Sequence, residues 1–416
     1  GKMIEKIMKA VKSGNKKRGR NITIGAVVGM LLSCTVAMGE DVSGLEITND
    51  GSGIKFDKEF HENTWENNTY TNYAAILGQS NNTAEGIGIN IAGNEKETSF
   101  TLINNGMISG KSSNGDAYGI KTEKLGSNSN FSFTNNGLAL GEASSTTDSK
   151  EAYGVYIKGV NSAINITGSF ENNGTILGKS SVGDAYGVYF AILSGSDFPF
   201  VNNGIISAEA SETSKEACGI SLNTFLMSNS TFENNGLISG KGNNSYGIVG
   251  IRGMKQEHIK SLTNNGLILS CGTSQSSGVS MSSKSFKTLK NNGLILANNS
   301  GTMCDGINIS SQYNATDFLI NDGLIIAKGG SGVSGISSTI NGIISKLINN
   351  GLISSSEIGI NAKGPTSNGN IYEIENTGIV YGTTNAIKIG SGITNSAVNY
   401  GILVNGSDTD VVTGLS

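Results

Sequence analysis

Apolar residues along this chain keep fixed distances from a tripeptide that recurs about every thirty residues. The tripeptide is Asn-Asn-Gly, with its glycine at Gly106, Gly137, Gly174, Gly204, Gly236, Gly266 and Gly293. The series continues, with variants, at Gly323, Gly351, Gly378 and Gly401, in steps of 23 to 37 residues. Asn72-Tyr73-Ala74 reads as a degenerate first copy. Four residues before the glycine stand Leu102, Phe133, Phe170, Phe200, Phe232, Leu262, Leu289, Leu319, Leu347 and Ile374. Two residues after it stand Ile108, Ile176, Ile206, Ile238, Ile268, Ile295, Ile325 and Ile353, with Ala139 the weak member. A second glycine, often in Ala-Tyr-Gly, introduces Ile120, Val155, Val188, Ile220, Ile248, Val279, Ile307 or Ile336. Short stretches with period-two alternation, bounded by Asn and Gly, are strands with one buried face. Each repeat therefore holds three of them.

Three strands per thirty residues, repeated in register, predict an all-β right-handed single-stranded parallel β-helix of about 11 turns. Each strand pairs in parallel with its equivalent one turn later, and the twist of the chain sets the right-handed winding. Asn suits the corner because it tolerates left-handed φ and its amide can bond along the stack, while Gly completes the turn. Helical repeats are excluded, because the windows lack 3.6-residue periodicity and hold poor helix formers. A β-propeller would need about four strands per repeat. Gly115-Asp116-Ala117-Tyr118-Gly119 returns as Gly183-Asp184-Ala185-Tyr186-Gly187, two turns on, so the unit duplicated was a pair of turns.

Composition agrees and adds a compartment. Gly occurs 59 times, Pro twice and Asn about fifty times, with 37% hydrophobic and 15% charged residues. Residues 1–39 are different in kind: eight basic residues and the single acid Glu5 precede the apolar run Ile22–Met38. That order, closed by Ala37-Met38-Gly39, is an export signal with an extended basic region. A membrane anchor is the competing reading, but the run is short and diluted by Gly25, Gly29, Ser33 and Thr35. Leu31-Leu32-Ser33-Cys34 also offers a lipoprotein-type processing site, and so a lipid-anchored module through Cys34. Without the signal, 21 basic residues face 32 acidic ones, a net charge of −11 with Arg252 the only arginine. That surface speaks against nucleic acid and anionic membranes as partners. Cys218, Cys271 and Cys304 are too few and too scattered for a disulfide framework or a metal site, and read as buried free thiols.

The extended basic signal, the Asn-Asn-Gly turns and the acidic Gly/Asn/Ser-rich coils resemble the passenger domain of an autotransporter (type V secretion) of Gram-negative bacteria. The resemblance covers residues from about 40 to 416 and carries no catalytic motif. It implies a cell-surface, outer-membrane or secreted location and a role in adhesion or host contact. It also implies a host or bacterial surface protein or glycan as partner, and an outer-membrane β-barrel translocator in cis or in trans. No such barrel pattern occurs before Thr413-Gly414-Leu415-Ser416, and the coils are expected to continue beyond it, with end-to-end self-association of the isolated chain.

Candidate chemistry is sparse. His61 and His258 are far apart and lack a nucleophile motif, and the glycines fall at turn spacing rather than in a phosphate loop. Asp116, Glu151, Asp184 and Glu216 each lie three residues before the second glycine, so they are expected to stack as an acidic ladder. Such a column is a solvated face neutralised by Lys150 and Lys215, a weak Ca²⁺ ladder, or a carboxylate cleft acting on polysaccharide. The first of these is the expectation, with no cofactor, no metal and no enzymatic activity. Residues 40–75 concentrate Trp65, Phe56, Phe60, Tyr70 and Tyr73 and read as an N-terminal cap on the first coil of a body spanning 76–416. The leading functional reading is a structural or adhesive surface passenger. The alternatives are a polysaccharide-active lyase or glycosidase and the lipid-anchored module.

Overall fold

The computed structural model describes residues 52–56, 69–91, 98–160, 163–211, 215–250, 258–282, 286–310, 316–339, 342–362, 370–389 and 394–406. The stretch read as an export signal, with Cys34, most of the expected cap with His61 and Trp65, and Arg252 lie outside them. Among the described residues there is no helix, and every pairing between strands is parallel. The chain is a parallel β-solenoid. A representative coil runs through a pre-turn strand, Ser129–Asn135, a post-turn strand, Leu138–Ala143, and a return strand, Ala152–Gly159. The pre-turn strands form one sheet of 12 strands, from Thr69–Asn72 to Ser396–Asn399. That number differs slightly from the eleven turns expected. The post-turn and return ladders merge into one sheet of 22 strands, because Leu237–Gly250 and Leu267–Met281 each run through both.

Register follows the sequence columns. Leu102, Phe133, Phe170, Phe200 and Phe232 are partners in successive strands and fully buried. The rings of Phe170 and Phe200 stack with centroids 4.5 Å apart, and those of Phe200 and Phe232 with centroids 5.0 Å apart. The Ile108 and Ile120 columns are likewise aligned and buried. A fourth inner column joins them in the return strands: Ile157, Phe190 and Leu222 are paired in register and wholly buried. Ala117, Ala152, Ala185 and Ala217 fill the narrow inner corner, where only a small side chain fits. Ser52–Phe56 and Thr69–Asn72 pair with the coil above, so the stretch read as a cap contributes two strands to the ladders.

The corner works differently from the expectation. None of the Asn-Asn-Gly residues has a positive φ; among the described residues the non-glycine ones that do are Asn128, Asn165, Ile192, Thr224 and Met303. Glycine is required there by crowding. A Cβ on Gly137 would collide with the carbonyl oxygen of Gly106 one coil below, and the collision repeats at each later turn glycine through Gly401. Asparagine is required for its amide. The first Asn of each turn, from Asn72 to Asn376, donates Nδ2–H to the Oδ1 of its equivalent in the next coil, at 2.7–2.9 Å through eleven successive bonds that end on Asn399. These amides are buried, and each also donates to backbone carbonyls, as Asn202 does to Gly204 and Leu237. The second Asn forms an outer ladder whose donors point the opposite way, as from Asn136 to Asn105 at 2.8 Å and from Asn203 to Asn173 at 2.9 Å.

Two substitutions separate the contributions. Phe170→Ala empties a site between stacked rings and should cost about 3–5 kcal/mol in denaturant unfolding. Asn234→Ala strands the Oδ1 and Nδ2 groups of its buried neighbours and should cost about 2–4 kcal/mol, whereas Asn203→Ala in the exposed column should cost under about 1 kcal/mol. Equal losses at Asn234 and Asn203 would show that the inner amide ladder carries no special weight.

Candidate functional site

The acidic ladder forms where the sequence put it. Ala117, Ala152, Ala185 and Ala217 are register partners, so the residues before them, Asp116, Glu151, Asp184 and Glu216, lie one above another at the start of the return strands. All four are half-buried. Their carboxylates play two alternating parts. Asp116 Oδ1 accepts the Glu151 backbone N–H at 2.8 Å, and Asp184 Oδ1 accepts that of Glu216 at 2.8 Å. Glu151 instead accepts the Tyr153 hydroxyl, and Glu216 accepts the Cys218 thiol at 3.1 Å. The aspartates therefore join one coil to the next, while the glutamates bond within their own strand. This alternation repeats with the period of two coils already visible in the sequence.

The expected neutralisation by lysine takes another form. Lys215 Nζ donates to Ser149 Oγ at 2.9 Å, and its charge acts on Glu151 only at a distance. Burial is the main influence on the glutamates: it raises the pKa of both Glu151 and Glu216, opposed by the Tyr153 and Cys218 hydrogen bonds and reinforced by the neighbouring aspartates. Among the described residues no group of three or more His, Cys, Asp and Glu is arranged to hold a metal ion. His258 stands at the edge of the pre-turn strand Ile259–Asn264, away from the acidic column.

Beside the carboxylates runs a tyrosine ladder that the Ala-Tyr-Gly motif announced but that sequence reasoning left without a role. Tyr118, Tyr153 and Tyr186 stack with centroids 4.8 and 5.1 Å apart and ring planes within 14° of parallel. Tyr156 and Tyr189 form a second rank, edge-on to the first. Lys121 covers the open side of Tyr118 at 4.5 Å from its centroid, and pairs with Glu85 at 3.3 Å. The ring faces are thus turned to each other, and the first rank is at most 8% exposed. A sugar platform needs a free ring face, and these rings spend theirs on stacking. Burial, reinforced by the nearby carboxylates, raises the pKa of Tyr118, Tyr153 and Tyr186 well above the phenol range.

Cys218 takes the place of a tyrosine between Tyr186 and Tyr246. All three described cysteines are free thiols, with Cys218 and Cys304 buried and Cys271 partly exposed. Burial raises the thiol pKa of Cys218, and pushes that of Cys304 up to about 12. Further up the tyrosine column, Asp305 occupies the position of Cys218 three coils later. No sequence motif marked it, because its burial comes from stacking alone. Desolvation pushes its pKa up to about 7, against hydrogen bonds from Asn308 (3.1 Å) and Ser337. An open polar recess of about 460 Å³ lies between the post-turn and return strands of the early coils. Its side chains already bond one another, with Ser113 Oγ donating to Asn81 Oδ1 at 2.7 Å and Lys111 lying 3.8 Å from Glu142.

Compared with known proteins, the chain matches no family model, no curated protein and no solved structure. Its site is therefore read from its own geometry.

Two measurements test this geometry. Asp305, Glu151 and Glu216 all have folded-state pKa values above their unfolded ones, so the folded chain holds protons that the unfolded chain has released. Their contribution to stability is present at low pH and lost as pH rises, through about 7 for Asp305. Unfolding midpoints should accordingly fall between pH 5 and pH 8, and Asp305→Asn should flatten that slope and raise stability at pH 8. A thiol reagent applied to the folded chain, followed by peptide mapping, should label Cys271 before Cys218 and Cys304.

Proposed function

We propose that this chain is an exported, surface-displayed passenger with a structural and adhesive role, and that it acts without catalysis. The observation that supports this reading is that the acidic ladder, the one candidate for chemistry, spends its carboxylates on the fold. Asp116 and Asp184 bond the backbone of the next coil, and Glu151 and Glu216 bond Tyr153 and Cys218. What the coils offer is a long, regular outer surface of hydroxyl, amide and carboxylate groups. Such a surface suits many weak polar contacts with a surface protein or glycan, spread over several coils. In this reading residues 1–39 direct export, and a β-barrel translocator in cis or in trans carries the coils to the cell surface.

The elevated pKa of Glu151 and Glu216 favours the second reading, a polysaccharide-active enzyme, since a general acid needs such a shift. One experiment separates the two. Protease shaving of intact Gram-negative cells that produce the chain with its translocator should release coil peptides, and deletion of residues 1–39 should abolish this. Beads coated with residues 40–416 should then retain cells or glycans without cleaving a polysaccharide panel. Cleavage that disappears in Glu151→Gln would replace the adhesive reading with the enzymatic one.

A further inference from the structure

The repeat that builds the corner also writes Asn-Gly into the chain many times, and this is the dipeptide in which asparagine is least protected chemically. Glycine has no side chain to hinder its nitrogen as that nitrogen approaches the asparagine Cγ. Closure forms the Gly N–Cγ bond and breaks Cγ–Nδ2, and ammonia leaves with the proton from the glycine nitrogen. Water then opens the succinimide to aspartate or isoaspartate. The reaction needs no oxidant or enzyme, only a free glycine N–H and a side chain able to swing onto it.

The stacked coils withhold both. In the coils from Gly137 onward the turn glycine N–H donates to the carbonyl of the inner Asn one coil below. Gly174 bonds Asn135 at 3.0 Å, Gly204 bonds Asn172 at 3.0 Å and Gly236 bonds Asn202 at 3.1 Å. The outer Asn is held as well, since Asn136, Asn173, Asn203 and Asn235 each donate Nδ2–H to the equivalent Asn below. Asn105-Gly106 is held differently on both counts: its glycine N–H bonds within its own coil, and the Asn105 side chain is held from the coil above, its Oδ1 accepting Asn136 Nδ2–H at 2.8 Å, rather than from the coil beneath. The Gly106 N–H bonds the Asn104 side-chain Oδ1 of its own coil at 3.2 Å. Beneath Asn105 stands Tyr73, 79% exposed and without an amide, where every coil from Gly137 to Gly293 finds asparagine below.

We propose that Asn105 is a self-modification site, the first of the turn Asn-Gly pairs to deamidate in the folded chain, while the turn pairs above it are kept intact by the coil beneath each of them. The ladder tolerates the aspartate product. Asp322 already occupies this column, accepting Asn350 Nδ2–H at 2.8 Å and pairing with Lys290 at 3.4 Å. A carboxylate at 105 can accept from Asn136 in the same way. The result is one added negative charge on an exposed corner, acquired with age.

Incubation of the full folded chain at mildly alkaline pH, with peptide mass mapping over time, tests this. Asn105 should convert about tenfold faster than Asn173 or Asn203, the factor expected when one ordinary hydrogen bond no longer holds the reacting groups. In denaturant the three should convert at similar rates. Tyr73→Asn, which supplies the missing amide below, should slow Asn105 selectively, and circular dichroism confirms that the variant is folded. Equal rates at the three sites in the folded chain, or folded rates equal to those in denaturant, would overturn the proposal.

Discussion

The constraint on which this molecule depends is that every coil must present the next one with the same row of hydrogen-bonding groups at the same height. A parallel stack satisfies its backbone only between coils, so a coil that slips by one residue turns its whole inner face outward. The inner asparagine column resists that slip. Its amides are buried, and a buried amide without a partner costs about 1–3 kcal/mol. Eleven consecutive side-chain bonds therefore tie the register of each coil to its neighbours. The apolar columns supply cohesion, but aliphatic and aromatic contacts tolerate small shifts that a chain of amide bonds does not.

Variation accordingly leaves the inner asparagine of each corner alone. Repeat length changes in the connections between return and pre-turn strands, and between post-turn and return strands, while the turn itself keeps its three residues. The columns also accept substitutions that keep the local requirement. Cys218 replaces a tyrosine and retains a donor for the adjacent glutamate. Asp322 replaces an outer asparagine because that position needs an acceptor for Asn350 and has Lys290 at hand. Asp305 is the costlier case, a carboxylate held in a stacked interior and partly compensated by Asn308 and Ser337.

The same economy governs the acidic ladder. A catalytic or metal-binding carboxylate must keep lone pairs for substrate or ion. Here the aspartates spend theirs on the next coil and the glutamates on a hydroxyl and a thiol. The tyrosines beside them stack on each other, which leaves edges and hydroxyls rather than faces toward solvent.

Much of this was legible in the residues alone. The period, the three strands of each coil and the inward columns through Phe170, Ile176 and Val188 follow from fixed offsets, because a residue that recurs at one distance from a turn must occupy one place in a stack. The acidic column was legible for the same reason. The reason for glycine at Gly137 was not: it lies in the closeness of the Gly106 carbonyl, a contact between residues 31 positions apart that has no local signature. Nor was the alternation of carboxylate roles, the facing of the tyrosine rings or the burial of Asp305. Composition and spacing set which residues stack. Only the assembled coils decide which atoms meet, because the distances between neighbouring coils, and hence every hydrogen bond across them, exist only once the chain has wound.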